Sequence, residues 1–159
     1  MPAMTDPFES LTSFQKAFDD RELQLQRGEI DRELFVHADR PQGEMRLTYA
    51  RVQRKTVTAL AIAVLTEPIE GIPCFQLGVA VPEAYRGQGR AKSIVEAAIA
   101  EMKSGLARNN LRAFYVEAIV GAHNKSSQRV AAATISATPK EVTDEFSGLP
   151  ALQYLRKVA

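Results

Sequence analysis

The chain has 159 residues, 45% hydrophobic and 25% charged, with a formal net charge of +1, which is enough apolar material for one enzyme-sized domain over 1–159 and too little for two. The near-neutral balance argues against nucleic acid as a partner. A single cysteine, Cys74, excludes an intramolecular disulfide and clustered-cysteine metal sites, no apolar run reaches the length of a membrane span, and the start at Met1 to Pro7 lacks the basic head and apolar middle of a signal peptide. No metal, no membrane and a cytoplasmic location are therefore expected.

From the amino terminus, Leu11 to about Glu29 is rich in good helix formers and places Phe14, Phe18 and Leu25 near one stripe, predicting one or two opening helices. Glu33 to His37 predicts a short strand, Asp39-Arg40-Pro41-Gln42-Gly43 a turn, and Met45 to Val52 a second strand. Gln53-Arg54-Lys55 then connects into the β-branched, alanine-rich strand Val57 to Leu65, and the segment from Pro68 to Pro73 closes the next hairpin. Consecutive hairpins make this part of the sheet antiparallel. Phe75 to Val81 reads as a buried strand, after which Ala91, Ile94, Val95, Ala98, Ile99, Met102 and Leu106 recur on one helical face, with Lys92, Glu96, Glu101 and Lys103 mainly off it. A further strand covers Ala113 to Val120, and Asn124 is placed to cap a short helix reaching about Ala133. Ile135 to Val142 and Ala151 to Val158 form a final hairpin around Asp144 to Pro150. The fold class is mixed α/β: one central, mainly antiparallel sheet with flanking helices.

The richest stretch is the turn between strand and helix, Val81-Pro82-Glu83-Ala84-Tyr85-Arg86-Gly87-Gln88-Gly89-Arg90-Ala91. Two glycines permit a tight turn, and the first N–H groups of the following helix are left without intrahelical acceptors. With Arg86 and Arg90 beside them, those groups suit a phosphate or pyrophosphate. A Walker A loop is excluded, because two residues separate Gly89 from Lys92-Ser93 where that motif joins its glycine directly to Lys-Ser/Thr. The dinucleotide fingerprint is excluded by Lys92 in place of its third glycine and by Asn109-Asn110 in place of a ribose-binding acid.

Arg86-x-x-Gly89-x-Ala91 matches the Q/R-x-x-G-x-G/A signature of an acetyl-CoA-binding turn, and with the flanking strand, long helix, second strand and Asn-capped helix, residues 75 to 133 resemble the GNAT family of N-acetyltransferases. The resemblance implies a pair of strands splayed by a bulge, with acetyl-CoA between them as the acyl donor. It further implies that Arg86, Gly87, Gln88, Gly89, Arg90 and Ala91 hold the pyrophosphate, that the backbone of Val79 and Val81 lies along the pantetheine arm, and that Asn124 and Ser127 contact that arm. An amine would be held against the thioester, whose carbonyl a backbone N–H near Val81 would polarise.

Acid–base chemistry departs from that family's pattern. Seven residues after Asn124, where relatives often carry a thiolate-protonating tyrosine, stands Ala131, and Pro73-Cys74-Phe75-Gln76-Leu77 carries no acid on the cradle strand. Glu117 and, at the exit of its strand, His123 are the candidate bases, while Ser127, Tyr154 and Tyr115 are candidate proton donors, with water as the other source of either role. Structural roles compete: Asn124 as a helix cap, Cys74 as a small buried hydrophobe and the tyrosines as core anchors. The acceptor would be a small-molecule or protein amine, met by the opening helices and the last hairpin. A non-catalytic acyl-CoA-binding or regulatory domain of the same fold is the alternative. A homodimer is expected through the last strand, read as a sheet edge.

Overall fold

The computed structural model describes residues 6–159. Its sheet has eight strands in the order β1-β2-β3-β4-β5-β6-β8-β7, formed by β1 (Gln26–Arg27), β2 (Leu34–Asp39), β3 (Arg46–Gln53), β4 (Thr56–Ile69), β5 (Ile72–Ala80), β6 (Phe114–Gly121), β7 (Lys140–Thr143) and β8 (Pro150–Val158). Three helices flank it: α1 (Pro7–Asp19), α2 (Arg90–Arg108) and α3 (Lys125–Thr134). Every neighbouring pair is antiparallel except β5 and β6. The predicted mixed, mainly antiparallel α/β class is the observed one.

Strand alternation divides the core between the two faces of the sheet. On one face Ala59, Ala61, Ala63, Phe75, Leu77, Phe114, Val116, Ala118 and Val120 meet the α2 stripe of Ile94, Val95, Ala98, Ile99 and Met102. On the other, Leu11 and Phe14 of α1 cover Ala50, Val57, Leu60, Ile62 and Ala80. Asp6 caps α1 by accepting the Phe8 N–H at 2.9 Å, with Pro7 supplying the preset first turn. Gln15 bolts the helix to the β3–β4 hairpin, its Oε1 accepting from the Val57 N–H at 2.7 Å and its Nε2 donating to the Lys55 carbonyl at 3.0 Å.

Several elements differ from the sequence reading. The opening helix, one of the one or two expected, starts earlier and ends sooner than the predicted Leu11 to Glu29, since Arg21 takes a φ of 57° past its end, and Leu23 and Leu25 pack against the α1 core from the following coil. The predicted strand from Ile135 shrinks to Lys140–Thr143, because Ile135 is spent burying the end of α3 and Pro139 delays the start of the ladder. Pro68 and Pro73 lie inside strands rather than in the turn, which is made by Glu70 and Gly71 at φ 51° and 79°. Pro68 is tolerated because the β4–β5 register shifts between Thr66 and Ile69. The last strand is not an edge: β8 lies between β6 and β7, so the free edge at that end is the four-residue β7. The dimer expectation therefore loses its premise.

Glu101, read as facing away from the α2 stripe, is 8% exposed. Its carboxylate accepts the backbone N–H groups of Glu29, Ile30 and Asp31 at 3.0, 2.7 and 2.8 Å, clamping the β1–β2 loop to the helix. That loop is held again by Asp31, which accepts from Arg51 at 2.6 Å. Glu101→Ala leaves three N–H groups without their acceptor and is expected to lower unfolding free energy by about 3 kcal/mol in denaturant titrations. The hydrogen bond from Arg51 holds the Asp31 carboxyl below its ordinary value, so its contribution is present above the usual carboxylate range and is lost as pH falls through the lowered folded value. Asp31→Asn is expected to flatten the acid arm of a stability-versus-pH curve.

Candidate active site

The parallel pair β5 and β6 holds together over only Cys74↔Tyr115, Phe75↔Val116 and Gln76↔Glu117. Beyond this vertex each strand stays with its outer neighbour, β5 with β4 as far as Ala80↔Leu60 and β6 with β8 as far as Gly121↔Ala151. The strands consequently open into a V. The expected bulge is not its cause, because the β4–β5 register is unbroken from Thr66↔Cys74 to Leu60↔Ala80. In an antiparallel ladder, alternate residues turn their N–H and C=O groups away from the partner strand. From Leu77 to Ala80 those groups of β5 face the gap instead of β6.

A cleft of about 790 Å³ fills the V and runs up to the turn before α2. Leu77, Val79, Val81, Ala118 and Val120 line its apolar walls, and Gly87, Gly89, Arg90, Ala91 and Lys92 line its basic end. Gly87 and Gly89 have φ of 76° and 74°, left-handed values that glycine adopts without a Cβ clash. Gly89 is also the N-cap of α2, and having no side chain it offers no capping acceptor, so the first N–H groups of a 19-residue helix face the cleft end uncapped.

The two arginines of the turn are held differently. Arg86 is exposed at the cleft; its Nε donates to the Val81 carbonyl at 2.9 Å and its guanidinium lies 5.6 Å from the Phe8 ring, so the turn is tied to the residue after β5 while the Nη groups make no protein hydrogen bond among the described residues. Arg90 is half-buried. Its Nη1 donates to Thr58 Oγ1 at 3.2 Å, its Nε to Gln88 Oε1 at 3.2 Å, and its guanidinium stacks 5.1 Å from the Tyr85 ring. Arg90 thus braces the turn against β4 as well as charging it.

Across the V, Asn124 caps α3 by accepting the Ser127 N–H at 3.2 Å, which commits its Oδ1. Asn124 and Ser127 both line the cleft, as do Ala131 and Arg129. Arg129 is absent from the residues the sequence reading selects, although a cation five residues past a helix cap beside a phosphate turn is a readable signal. Asp6, Pro7 and Phe8 also line the cleft from the start of α1, a long-range contact with no local sequence mark.

The candidate acid–base groups are scattered. Neither Tyr154, which is 2% exposed within the core on the α2 side, nor Glu117 is among the cleft-lining residues. Ser127 is half-buried at the cleft, and His123 is exposed. Glu117 stands at the vertex, opposite Gln76, on the face of the sheet away from α2, where Gln153 donates to its Oε2 at 2.6 Å. Cys74 is buried on that same face, and burial first, then the charge of Glu117, pushes its thiol up to about 12. A neutral thiol at this point is a packing group.

No family model and no curated protein sequence matches the chain. Solved structures do. An acetyltransferase of the GNAT family from Streptococcus pneumoniae is 8% identical with a TM-score of 0.55, covering 99% of this chain and 98% of that one. RimL, a ribosomal-protein α-N-acetyltransferase solved with coenzyme A, is 17% identical with a TM-score of 0.53 over 71% of this chain and 62% of its own. Arabidopsis thaliana NAA60 with acetyl-CoA is 15% identical with a TM-score of 0.52 over 70% and 76%. This chain therefore spans less than two thirds of RimL. The chain has the fold of the GNAT acetyltransferases, as its turn signature implied.

If the basic end of the cleft receives phosphates, Arg86→Ala and Arg129→Ala are each expected to weaken acetyl-CoA binding about ten- to a hundredfold in calorimetry. Gly89→Val is expected to weaken it at least as much through backbone strain alone, since a Cβ there meets no atom within 4 Å. Unchanged affinity in all three variants removes the phosphate role from this turn.

Proposed function

We propose that this chain, acting over 1–159 as one acyltransferase domain, moves an acetyl group from acetyl-CoA to a primary amine of a small molecule or a protein. The observation that carries the reading is the V between β5 and β6, opening onto an uncapped, glycine-lined, basic helix start. An extended acyl donor needs both parts: polar backbone along its arm and cationic donors at its phosphates. Val79 and Val81 would offer backbone groups to the arm; Arg86, Gly87, Gly89, Arg90 and Ala91, with Lys92 and Arg129, would hold the phosphates, while Gln88, outside the cleft lining, accepts from Arg90; Asn124 and Ser127 would lie against the arm at the start of α3. The solved neighbours bound to coenzyme A or acetyl-CoA support the donor's chemical class.

Catalysis is then direct attack in a ternary complex. The acceptor approaches the vertex from the face away from α2 and gives a proton to Glu117 as the neutral amine's nitrogen bonds to the thioester carbonyl carbon. A gap-facing backbone N–H of β5 close to the vertex would steady the developing oxyanion, since Val81 stands five residues, about 16 Å, farther along toward the phosphate turn. When the carbon–sulfur bond breaks the thiolate departs, and its proton comes from Ser127 or from water, since Tyr154 is buried in the core on the α2 side and Ala131 has no proton to give.

Ala131 at that position also favours a second reading, in which the domain binds acyl-CoA without turning it over. Acceptor-dependent release of free thiol across an amine panel separates the two, because the enzyme alone releases coenzyme A. In the enzyme, rate is expected to rise with pH to a plateau without a phenolic falling limb, and Glu117→Gln is expected to lose ten- to a thousandfold in kcat at unchanged acetyl-CoA affinity. Full activity in Glu117→Gln overturns the base assignment.

A further inference from the structure

We infer that a second cavity, between α2 and the β2–β3 pair, is a binding site for a small apolar carboxylate whose far end carries a hydrogen-bonding group. The cavity measures about 380 Å³, within the range of small-molecule pockets, and lies on the α2 face of the sheet. Val36, Met45, Leu47, Met102 and Leu106 make its walls apolar. It shares no lining residue with the cleft of the V among the described residues. The 19-residue α2, about 28 Å long, starts at that cleft and reaches this cavity only from Glu101 onward. One end wall is fixed in advance. Glu101 holds the Glu29, Ile30 and Asp31 N–H groups, and Gly28 packs so tightly against it that a Cβ there would meet Glu101 Oε1 at 2.7 Å and press into the Asp31 carbonyl.

Tyr49 sets the ligand's polar end. It comes from β3 opposite Val36, is 3% exposed, and its hydroxyl makes no hydrogen bond among the described residues. Every fully enclosed side-chain oxygen or nitrogen among those residues has a partner, so this hydroxyl opens into the cavity that Tyr49 lines. Burial, then the Glu101 charge, raises the phenol above its ordinary value, which keeps the group a hydroxyl able to donate or accept. A polar group so placed costs stability unless something in the cavity bonds it. The charge comes from the other end. The acids bordering the cavity are engaged: Glu101 by the loop, Glu29 by Arg108, and Asp39 by two bonds from Arg46. Among the bordering cations, Arg108 is spent on Glu29 and Arg27 donates to the Arg32 carbonyl, whereas the Arg40 guanidinium has no hydrogen bond or ion pair among the described residues. Arg40 follows β2 four residues past Val36, about 13 Å along the strand, while Glu101 bonds the loop before β2. A carboxylate is therefore drawn to the Arg40 end, its apolar body lies along Leu47 and Leu106, and its far end meets Tyr49.

The test titrates para-hydroxyphenylpropionate into protein labelled at its methionine methyls and follows their carbon NMR signals. The chain has four methionines; Met45 and Met102 line this cavity, and no described methionine lines the cleft. Saturable shifts of those two methyls, assigned with Met45→Leu and Met102→Leu, are expected. The neutral para-hydroxyphenylpropionamide and the hydroxyl-free phenylpropionate are each expected to bind about tenfold more weakly. Tyr49→Phe is expected to weaken para-hydroxyphenylpropionate about tenfold and to leave phenylpropionate unchanged, whereas Arg40→Ala is expected to weaken both acids about tenfold and to leave the amide unchanged. Absence of saturable binding by both acids overturns the inference, and equal binding of acid and amide overturns the carboxylate class. Binding that leaves the Met45 and Met102 methyls unmoved, or that is lost in Arg86→Ala and kept in Arg40→Ala, places the acid at the phosphate turn and overturns the site. Should Tyr49→Phe fail to fold by circular dichroism, the wild-type affinities of the three probes and Arg40→Ala, a change at an exposed residue, carry the test.

Discussion

Everything at the candidate site depends on the loyalty of two neighbouring strands to different partners. β5 is paired along its length with β4, and β6 with β8, so the parallel contact between them is the weak seam of the sheet and survives for only three residue pairs. Right-handed twist pulls the two halves apart beyond Gln76↔Glu117. In most folds a seam of this kind exposes backbone groups that must find water or an edge strand. Here the gap is walled by Val79, Val81, Ala118 and Val120 and closed at its far end by α2 and α3, so it forms an elongated cleft with polar backbone on one side and apolar side chains around it.

The turn before α2 is built to keep that cleft's end positive. Gly87 and Gly89 occupy left-handed backbone that other residues enter only with strain, and this places the helix axis so that its uncapped start points inward. Arg90 would be the natural residue to project into the opening, yet the Thr58 hydroxyl and the Tyr85 ring hold it against the sheet. The result is a braced cationic floor, with Arg86, Lys92 and Arg129 adding charge around it. Bracing is useful here because a cradle already shaped loses little entropy when an anion arrives.

Much of this was legible in the sequence, for physical reasons that differ by element. The turn signature, the α2 stripe and the Asn124 cap are local, encoded in spacing over a few residues, and each is present in the fold at the expected place. The antiparallel hairpins were readable from their connections. The illegible features are non-local: that β8 inserts between β6 and β7, that Asp6 to Phe8 return to the cleft, and that Glu101 folds inward to bind three backbone N–H groups of a loop some seventy positions earlier. A carboxylate with such partners looks, in the sequence, like any solvated helix charge. Tyr154 shows the converse: as a hydroxyl it was a reasonable proton donor, but the β8 alternation turns it into the core beside Val158.

The V between β5 and β6, together with the α2 turn, is where we place the acyl-CoA. Amide hydrogen exchange measured with and without acetyl-CoA tests that placement most directly, because the backbone groups concerned are the ones left without strand or helix partners. The account predicts added protection confined to the amides of 77–80 on β5 that face away from β4 and to those of 87–92 in the turn and first turn of α2. Protection absent from both segments at saturating acetyl-CoA, or appearing instead around the β1–β2 loop or the α2 carboxyl end, contradicts it.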